Sequence, residues 1–280
     1  MGDASIVPTS MGEMIGDLES TKGILNPQAI GQKFEFTRQL PSPDLRGLIE
    51  RYWIIRWDLE TPHEQETIPY PCVNLVMERN NSRVWGVISG KFTRRLEGYG
   101  GVFGVKFRPG AFYPFLRAPI SRLTNKSMAF CDVFGEKPDA LEQAVFAAQS
   151  DDEQIAVMED FLCRRLPEPD DNIELINQII DCVVADRRIT RVDQLAAIFE
   201  RTPRSLQRLF SQYVGVSPKW VIKRYRLHEA AEQLASGMGV DWPQMAQELG
   251  YFDQAHFIKD FKSIIGVTPA EYARGVAKPD

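Results

Sequence analysis

Histidine is scarce, with 3 in 280 residues, and the 4 cysteines (Cys72, Cys131, Cys163 and Cys182) form no C-x-x-C pair. That spacing excludes a zinc knuckle, argues against a disulfide framework and fits a reducing cytoplasm. No apolar run approaches the roughly 18 residues that a bilayer span requires. The first 31 residues have neither a basic n-region nor an apolar h-region, so the expectation is a cytoplasmic chain with no membrane partner. Glycine-rich phosphate loops and paired-carboxylate motifs are missing too, and Ser89-Gly90 lacks the G-x-S-x-G frame of a nucleophile elbow. No catalytic residue, metal site or cofactor is therefore expected. Basic residues do not dominate: 33 Lys and Arg stand against 38 Asp and Glu, a net charge of −5, which is no polybasic coat for nucleic acid.

What is present is an ordinary globular composition, 44% hydrophobic and 25% charged, in a chain long enough for two cores. Residues 1–31, rich in Gly, Ser, Thr, Asp and Glu, read as a flexible lead-in. From 32 the pattern is strand-like: 33–37, 53–59, 72–78, 83–88, 92–97 and 102–107, separated by Pro and Gly clusters. After Pro109-Gly110 the period becomes helical over 138–148 and 152–166, an antiparallel helix pair. Pro167-Glu168-Pro169-Asp170-Asp171 breaks the chain as a linker. The expected fold is α+β in two domains. A β-rich sheet or small barrel with a helix pair occupies 32–166, followed by an all-α domain over 172–275 and a tail at 276–280.

The all-α part contains an internal repeat. Leu195-Ala196 and Phe199 recur as Met245-Ala246 and Leu249, while Leu206, Phe210, Gly215 and Pro218 recur as Phe257, Phe261, Gly266 and Pro269. The offset grows by one residue between the two sets, so the extra residue falls in the turn of the second copy. Each copy is a short helix, a tight turn and a second helix, closed by Gly-Val-Ser-Pro or Gly-Val-Thr-Pro. Ser217 and Thr268 suit N-caps, and Pro218 and Pro269 suit first helical positions. Residues 218–234 have no breaker and predict one linking helix between the copies, with Ile173 to Val184 as a helix packed on it. Such helix-turn-helix units set their second helix in the DNA major groove, and two on one rod reach successive grooves.

These residues resemble the AraC/XylS family of bacterial transcription regulators. The resemblance covers about 172–275. It rests on Leu195-Ala196, Ser205 to Phe210, Gly215 to Pro218, Arg226-Leu227 with Ala230-Ala231, Met245-Ala246 with Gly250-Tyr251, His256-Phe257 with Asp260-Phe261-Lys262, and Gly266 to Pro269 with Tyr272. It implies double-stranded DNA as partner, RNA polymerase and a second copy of the chain as further partners, and a signal-sensing domain ahead of the DNA reader. Pro71 to Val76 and Gly104 to Gly110 also look like an uncharacterised N-terminal domain that precedes this module.

In the first reading helix the apolar stripe Leu206, Leu209, Phe210 and Tyr213 leaves Arg204, Gln207, Arg208 and Ser211 on the opposite face. Arginine forks onto guanine and glutamine onto adenine, and the resemblance puts base contacts at the same three positions: Arg204, Gln207 and Arg208. The matching face of the second helix is Ala255, Ile258 and Lys259, which offers methyl contact more than hydrogen bonds. Gln254 and Lys259 are its candidate base readers. Ser205, Ser211, Lys219, Lys223, Arg226, His256 and Lys262 are candidate phosphate or supporting contacts, with Lys219, Lys223 and Arg226 on one face of the linking helix. Arg224 is open to a second reading, an internal salt bridge. Ten bases face two acids between Arg187 and Arg226, but three face seven from Leu227 to Gly275, so phosphate attraction concentrates on the first copy.

In the sheet domain, alternation sets Trp53, Ile55, Trp57 and Leu59 on one face and Phe103, Val105 and Phe107 on one face of their own strand. Trp53, Trp57, Phe103 and Phe107 are candidates for an effector pocket, with plain core as the alternative. Lys106 and Arg108 fall on the other face, where solvation or acid partners are expected. Two rival functions remain. A cupin-like metal-dependent or small-molecule-binding domain fits the strand pattern, but His63 is the lone histidine before the linker. A dimerising module that has lost DNA binding is weakened by Arg204 and Arg208.

Overall fold

The computed structural model describes residues 24–25, 29–68, 70–235 and 242–276; nearly all of the expected lead-in and the tail from 277 lie outside them. Among the described residues seven antiparallel strands form one sheet: β1 (Ile24–Leu25), β2 (Glu35–Gln39), β3 (Ile49–Thr67), β4 (Asn74–Glu78), β5 (Arg83–Trp85), β6 (Phe92–Phe107) and β7 (Ser127–Ala129). Their order is β1-β3-β6-β4-β5-β7, with β2 also paired to β3. The long β3–β6 ribbon carries register shifts between Ile49 and Arg51 and between Leu59 and His63.

Gly98 to Gly101 reads in the sequence as a break between two strands, yet β6 runs straight through it. Cross-strand packing is the reason. Trp53 lies opposite Gly104 and Trp57 opposite Gly100, and each indole occupies the space that a side chain there would need: a Cβ on Gly104 would sit 1.9 Å from Trp53 and one on Gly100 2.3 Å from Trp57. The glycines let two tryptophans lie across the sheet.

The other face of the same ribbon, with Tyr52 against Val105 and Ile54 against Phe103, is a closed core. It is covered by α1 (Tyr113–Leu116), α2 (Phe130–Phe134), α3 (Asp139–Ala147) and α4 (Asp151–Cys163). Val145 of α3 and Met158, Phe161 and Leu162 of α4 pack into it. The predicted helix pair thus packs on its own sheet, each buried Phe or Leu contributing about 1.5–3 kcal/mol.

Among the described residues these helices follow: α5 (Asp171–Ala185), α6 (Val192–Ile198), α7 (Pro203–Tyr213), α8 (Pro218–Ala235), α9 (Trp242–Glu248), α10 (Gln254–Ile265) and α11 (Pro269–Val276). The pairs α6–α7 and α9–α10 are the two copies of the repeat, and α8 is the linking helix. Five residues, 249–253, separate α9 from α10 and four, 199–202, separate α6 from α7, which places the extra residue in the predicted turn. Ser217 Oγ accepts from Trp220 N at 3.2 Å and Thr268 Oγ1 from Glu271 N at 3.3 Å, so both act as N-caps. One core joins α5, α6, α7 and the start of α8; a second joins the end of α8 to α9 and α10. Among the described residues no helix is long and apolar enough to cross a membrane.

Candidate nucleic-acid interface

Helix α7 is held by its ends and its apolar stripe. Thr202 caps it, its hydroxyl accepting from Ser205 N at 3.1 Å, and Pro203 stands in the first turn. Leu206, Phe210 and Tyr213 are buried. Gly215 ends the helix in the left-handed region at φ 94° and packs against Ile120 and Thr124 of the sheet domain. This fixes the rotation of the helix, so Arg204, Ser205, Gln207, Arg208 and Ser211 are all exposed. Arg204, Gln207, Arg208 and Ser211 line one cleft, and Pro119 of the sheet domain forms part of its wall.

Helix α10 repeats the plan with different chemistry. Asp253 caps it through His256 N at 2.7 Å, and Phe257, Phe261, Ile264 and Ile265 are buried. Ala255, His256, Lys259 and Lys262 are exposed, while Gln254 and Ile258 are half-buried. Asp260 lies beside two of the candidate phosphate contacts: Lys223 Nζ is 2.7 Å and the exposed His256 Nε2 3.3 Å from its carboxylate. Phe252, which the sequence did not single out, is 98% exposed just ahead of α10.

On the linking helix only Lys219 of the three predicted phosphate contacts is fully exposed. Arg226 requires a correction: it is 1% exposed, and its guanidinium donates to the carbonyls of Ile189, Val183 and Asp186 and pairs with Glu229. It ties the end of α5 to α8: the Val183 carbonyl lies past the last helical hydrogen bond, which Cys182 O accepts from Asp186 N, and takes the guanidinium as its donor, while Asp186 O also accepts from Ile189 N. Arg224 is also buried. It donates to Ile68 O at 3.2 Å and sits 4.6 Å from the centroid of the Tyr70 ring, so it joins the linking helix to the sheet domain.

The four aromatic residues proposed for an effector pocket separate. Trp53 and Trp57 line a cavity of about 240 Å³ on the glycine-bearing face of the ribbon, beside a second buried cluster that includes Trp57, Val76 and Val102. Phe103 and Phe107 point to the opposite face and are 0% exposed in the closed core, because in the paired register they share the side of Tyr52 and Ile54. The cavity walls also carry cations that the sequence reading left outside any pocket, among them Arg38, Arg51 and Lys106. Lys106 Nζ lies 2.7 Å from Glu50, and Arg51 is 2.5 Å from the same carboxylate. Burial pushes the Glu50 carboxyl up, but Lys106 and Arg51 outweigh it and hold it at about 2. Arg108 instead donates to Asn177 of α5.

Residues 37–129 match a domain of unknown function (DUF6597), and residues 195–275 match a helix-turn-helix domain. An uncharacterized HTH-type transcriptional regulator of Haemophilus influenzae is 31% identical over 86 residues, 31% of this chain and 28% of that protein. A second, YtdP of Bacillus subtilis, is 32% identical over 82 residues, 29% of this chain and 10% of its own. The chain therefore spans well under half the length of either relative. Among solved structures, ToxT of Vibrio cholerae is 14% identical with a TM-score of 0.37, the match covering 89% of this chain and 100% of that one.

Proposed function

We propose, on the premise that residues 195–275 are an AraC-type helix-turn-helix domain, that the chain is a transcription regulator of double-stranded DNA. In this reading 32–166 senses a small-molecule effector, 167–171 links, and 172–275 binds DNA. The observation that carries it is the exposed line of Arg204, Gln207 and Arg208 on a helix capped at one end and buried along its other face. A reading helix needs that combination: side chains able to fork onto base edges, on a backbone whose rotation the core has fixed.

Helix α7 reads bases by hydrogen bonding. Helix α10, with Ala255, Ile258 and Lys259 toward the groove, reads by methyl contact and shape, supported by Gln254, His256 and Lys262. Lys219 contacts phosphate. The family resemblance adds RNA polymerase and a second copy of the chain as partners. Selection of bound sequences from a random DNA pool by the full chain tests the reading. The expected product is a site with two half-sites about 10 base pairs apart, more sharply defined under α7. A pool with no enriched motif overturns it.

A further inference from the structure

We infer that the sheet domain supplies a DNA contact of its own: Arg117 and Arg122, on either side of Pro119, hold backbone phosphates of the strand that borders the groove entered by α7. This rests on the reading of 172–275 as a DNA-binding domain, and it assigns part of the binding surface to the domain ahead of it. The segment 113–124 runs beside α7 and is fastened to it at both ends. Gln212 Nε2 donates to the Tyr113 hydroxyl at 2.8 Å, and the Thr124 hydroxyl donates to Gly215 O at 2.5 Å. Between those ties Ile120 is fully buried and packs against Gly215, and Pro119 stands in the wall of the cleft that Arg204, Gln207, Arg208 and Ser211 line.

Size decides what such a neighbour touches. An α-helix with its side chains is about 10–12 Å across, and the major groove of B-DNA is about 12 Å wide. The helix alone fills the groove, so a segment packed along its flank meets the phosphates at the groove edge. Arg117, Pro119, Ser121 and Arg122 are the exposed residues of that segment's middle.

Its charge differs from that of the rest of the domain. No acidic residue lies between Glu97 and Asp132, a stretch with five basic ones, whereas 132–166 has nine acids and three bases. Elsewhere in the sheet several basic side chains meet a carboxylate, as Arg56 does Asp151, Arg94 Glu78 and Arg95 Glu97. The side chains of Arg117 and Arg122 make, among the described residues, no ion pair and no hydrogen bond. Arg117 moreover ends α1 in the left-handed region, at φ 51°, a place that favours glycine, so the backbone gains nothing from an arginine there. Two guanidiniums without an internal partner, on a segment fixed beside a base-reading face, suit phosphate oxygens.

The test titrates the full chain with its selected site and with random-sequence duplex over a range of salt. Each phosphate contact removed lowers the slope of log affinity against log salt by about one. Arg117→Gly or Arg122→Gln alone should lower it by about one and the double variant by about two, weakening every sequence about tenfold at physiological salt, with base preference in a fresh selection unchanged. Phosphate ethylation should interfere beside the α7 half-site with the unaltered chain and not with the double variant. The melting temperature of Arg117→Gly should stay level or rise, since glycine relieves the left-handed position. Arg95→Gln, which removes a paired cation of the same domain, should leave the slope as it is. An equal fall in Arg95→Gln overturns the contact, and so does tighter binding once the arginines are gone, which would mean that the segment covers the reading face. DNA binding whose slope the double variant leaves unchanged defeats this inference alone, whereas failure of the unaltered chain to bind any DNA defeats the regulator reading with it.

Discussion

The two helix-turn-helix copies share a backbone plan and differ in what they present. The positions that repeat are the ones that fold: Leu206 and Phe257, and Phe210 and Phe261, are buried in corresponding places, and Gly215 and Gly266 end their helices at φ 94° and 96°. The positions that diverge are mostly exposed, with Arg204, Gln207 and Arg208 in one copy against Ala255, Ile258 and Lys259 in the other. Their attachment differs as well. The core of the first copy includes Val87 and Ala111 of the sheet domain, and the tilted rings of Tyr213 and Tyr113 meet with centroids 4.2 Å apart. In the second copy's core the buried contribution from the sheet domain is Ile68. A repeat thus separates what the fold requires from what recognition has been free to change. In the reading proposed above, it also puts the side chains best able to fork onto bases on the copy whose core takes in Val87 and Ala111 of the sheet domain.

The largest test concerns the anchoring of the first copy. Arg226→Met leaves the buried carbonyls of Val183 and Ile189 without this donor and Glu229 with, among the described residues, only Arg187, 3.8 Å away, and should destabilise the chain by roughly 3–5 kcal/mol in denaturant unfolding. Lys219→Met should leave stability unchanged and lower the salt dependence of DNA binding by about one phosphate contact. If Arg226→Met folded normally and Lys219→Met did not, the division between buried and surface cations on α8 would be reversed. Next in size is the reading face. Arg208→Ala should weaken the selected operator by about 1–3 kcal/mol and relax one base position, whereas Lys259→Ala should weaken all sequences alike. Base-by-base substitution of the operator checks this, and equal selectivity under both helices would abolish the asymmetry.

The helical half was legible because its signals are local. Caps, closing glycines and a 50-residue repeat mark helix ends without reference to the rest of the chain, and the extra turn residue follows from the offset alone. The sheet was less legible because its signals lie across strands. Trp53 and Trp57 are four apart, and so are Gly104 and Gly100; that match was present in the sequence, but only the antiparallel register reveals that each indole lies on a glycine. For the same reason the sequence offers Phe103 and Phe107 both as pocket and as plain core, and places Lys106 on the other face without showing that this is the face of the tryptophans. Arg226 was misplaced because helical spacing gives a direction around an axis, and does not reveal that α5 ends against that direction.

A smaller contrast lies in the turns. Glu200 and Gly250 occupy equivalent places, both left-handed, at φ 49° and 79°. Glutamate bears a steric penalty there that glycine does not. Glu200→Gly should therefore stabilise the first copy by about 1 kcal/mol. Gly250→Ala should destabilise the second by more than that, because its Cβ would also lie 2.6 Å from Thr190. Differential scanning calorimetry of both variants decides it, and shifts of the same sign would show that the turns are not equivalent.

The smallest effect separates the helices that close the two copies. Ser217 caps α8 with a hydroxyl alone. At α11 Thr268 is joined by Glu271, whose carboxylate accepts from the Thr268 N–H and hydroxyl, both at 2.7 Å. Those two hydrogen bonds hold the Glu271 carboxyl below its ordinary value of 4.5. A group held low in the folded state adds stability above its unfolded value and loses it as the pH falls through the folded one. Amide exchange in α11 should therefore accelerate, relative to the start of α8, as the pH drops below about 4.5, after correction for intrinsic exchange. Glu271→Gln should flatten that dependence. If α8 loosened first, the capping box would not be what holds the final helix, and the second copy would depend on burial of its aromatic core alone.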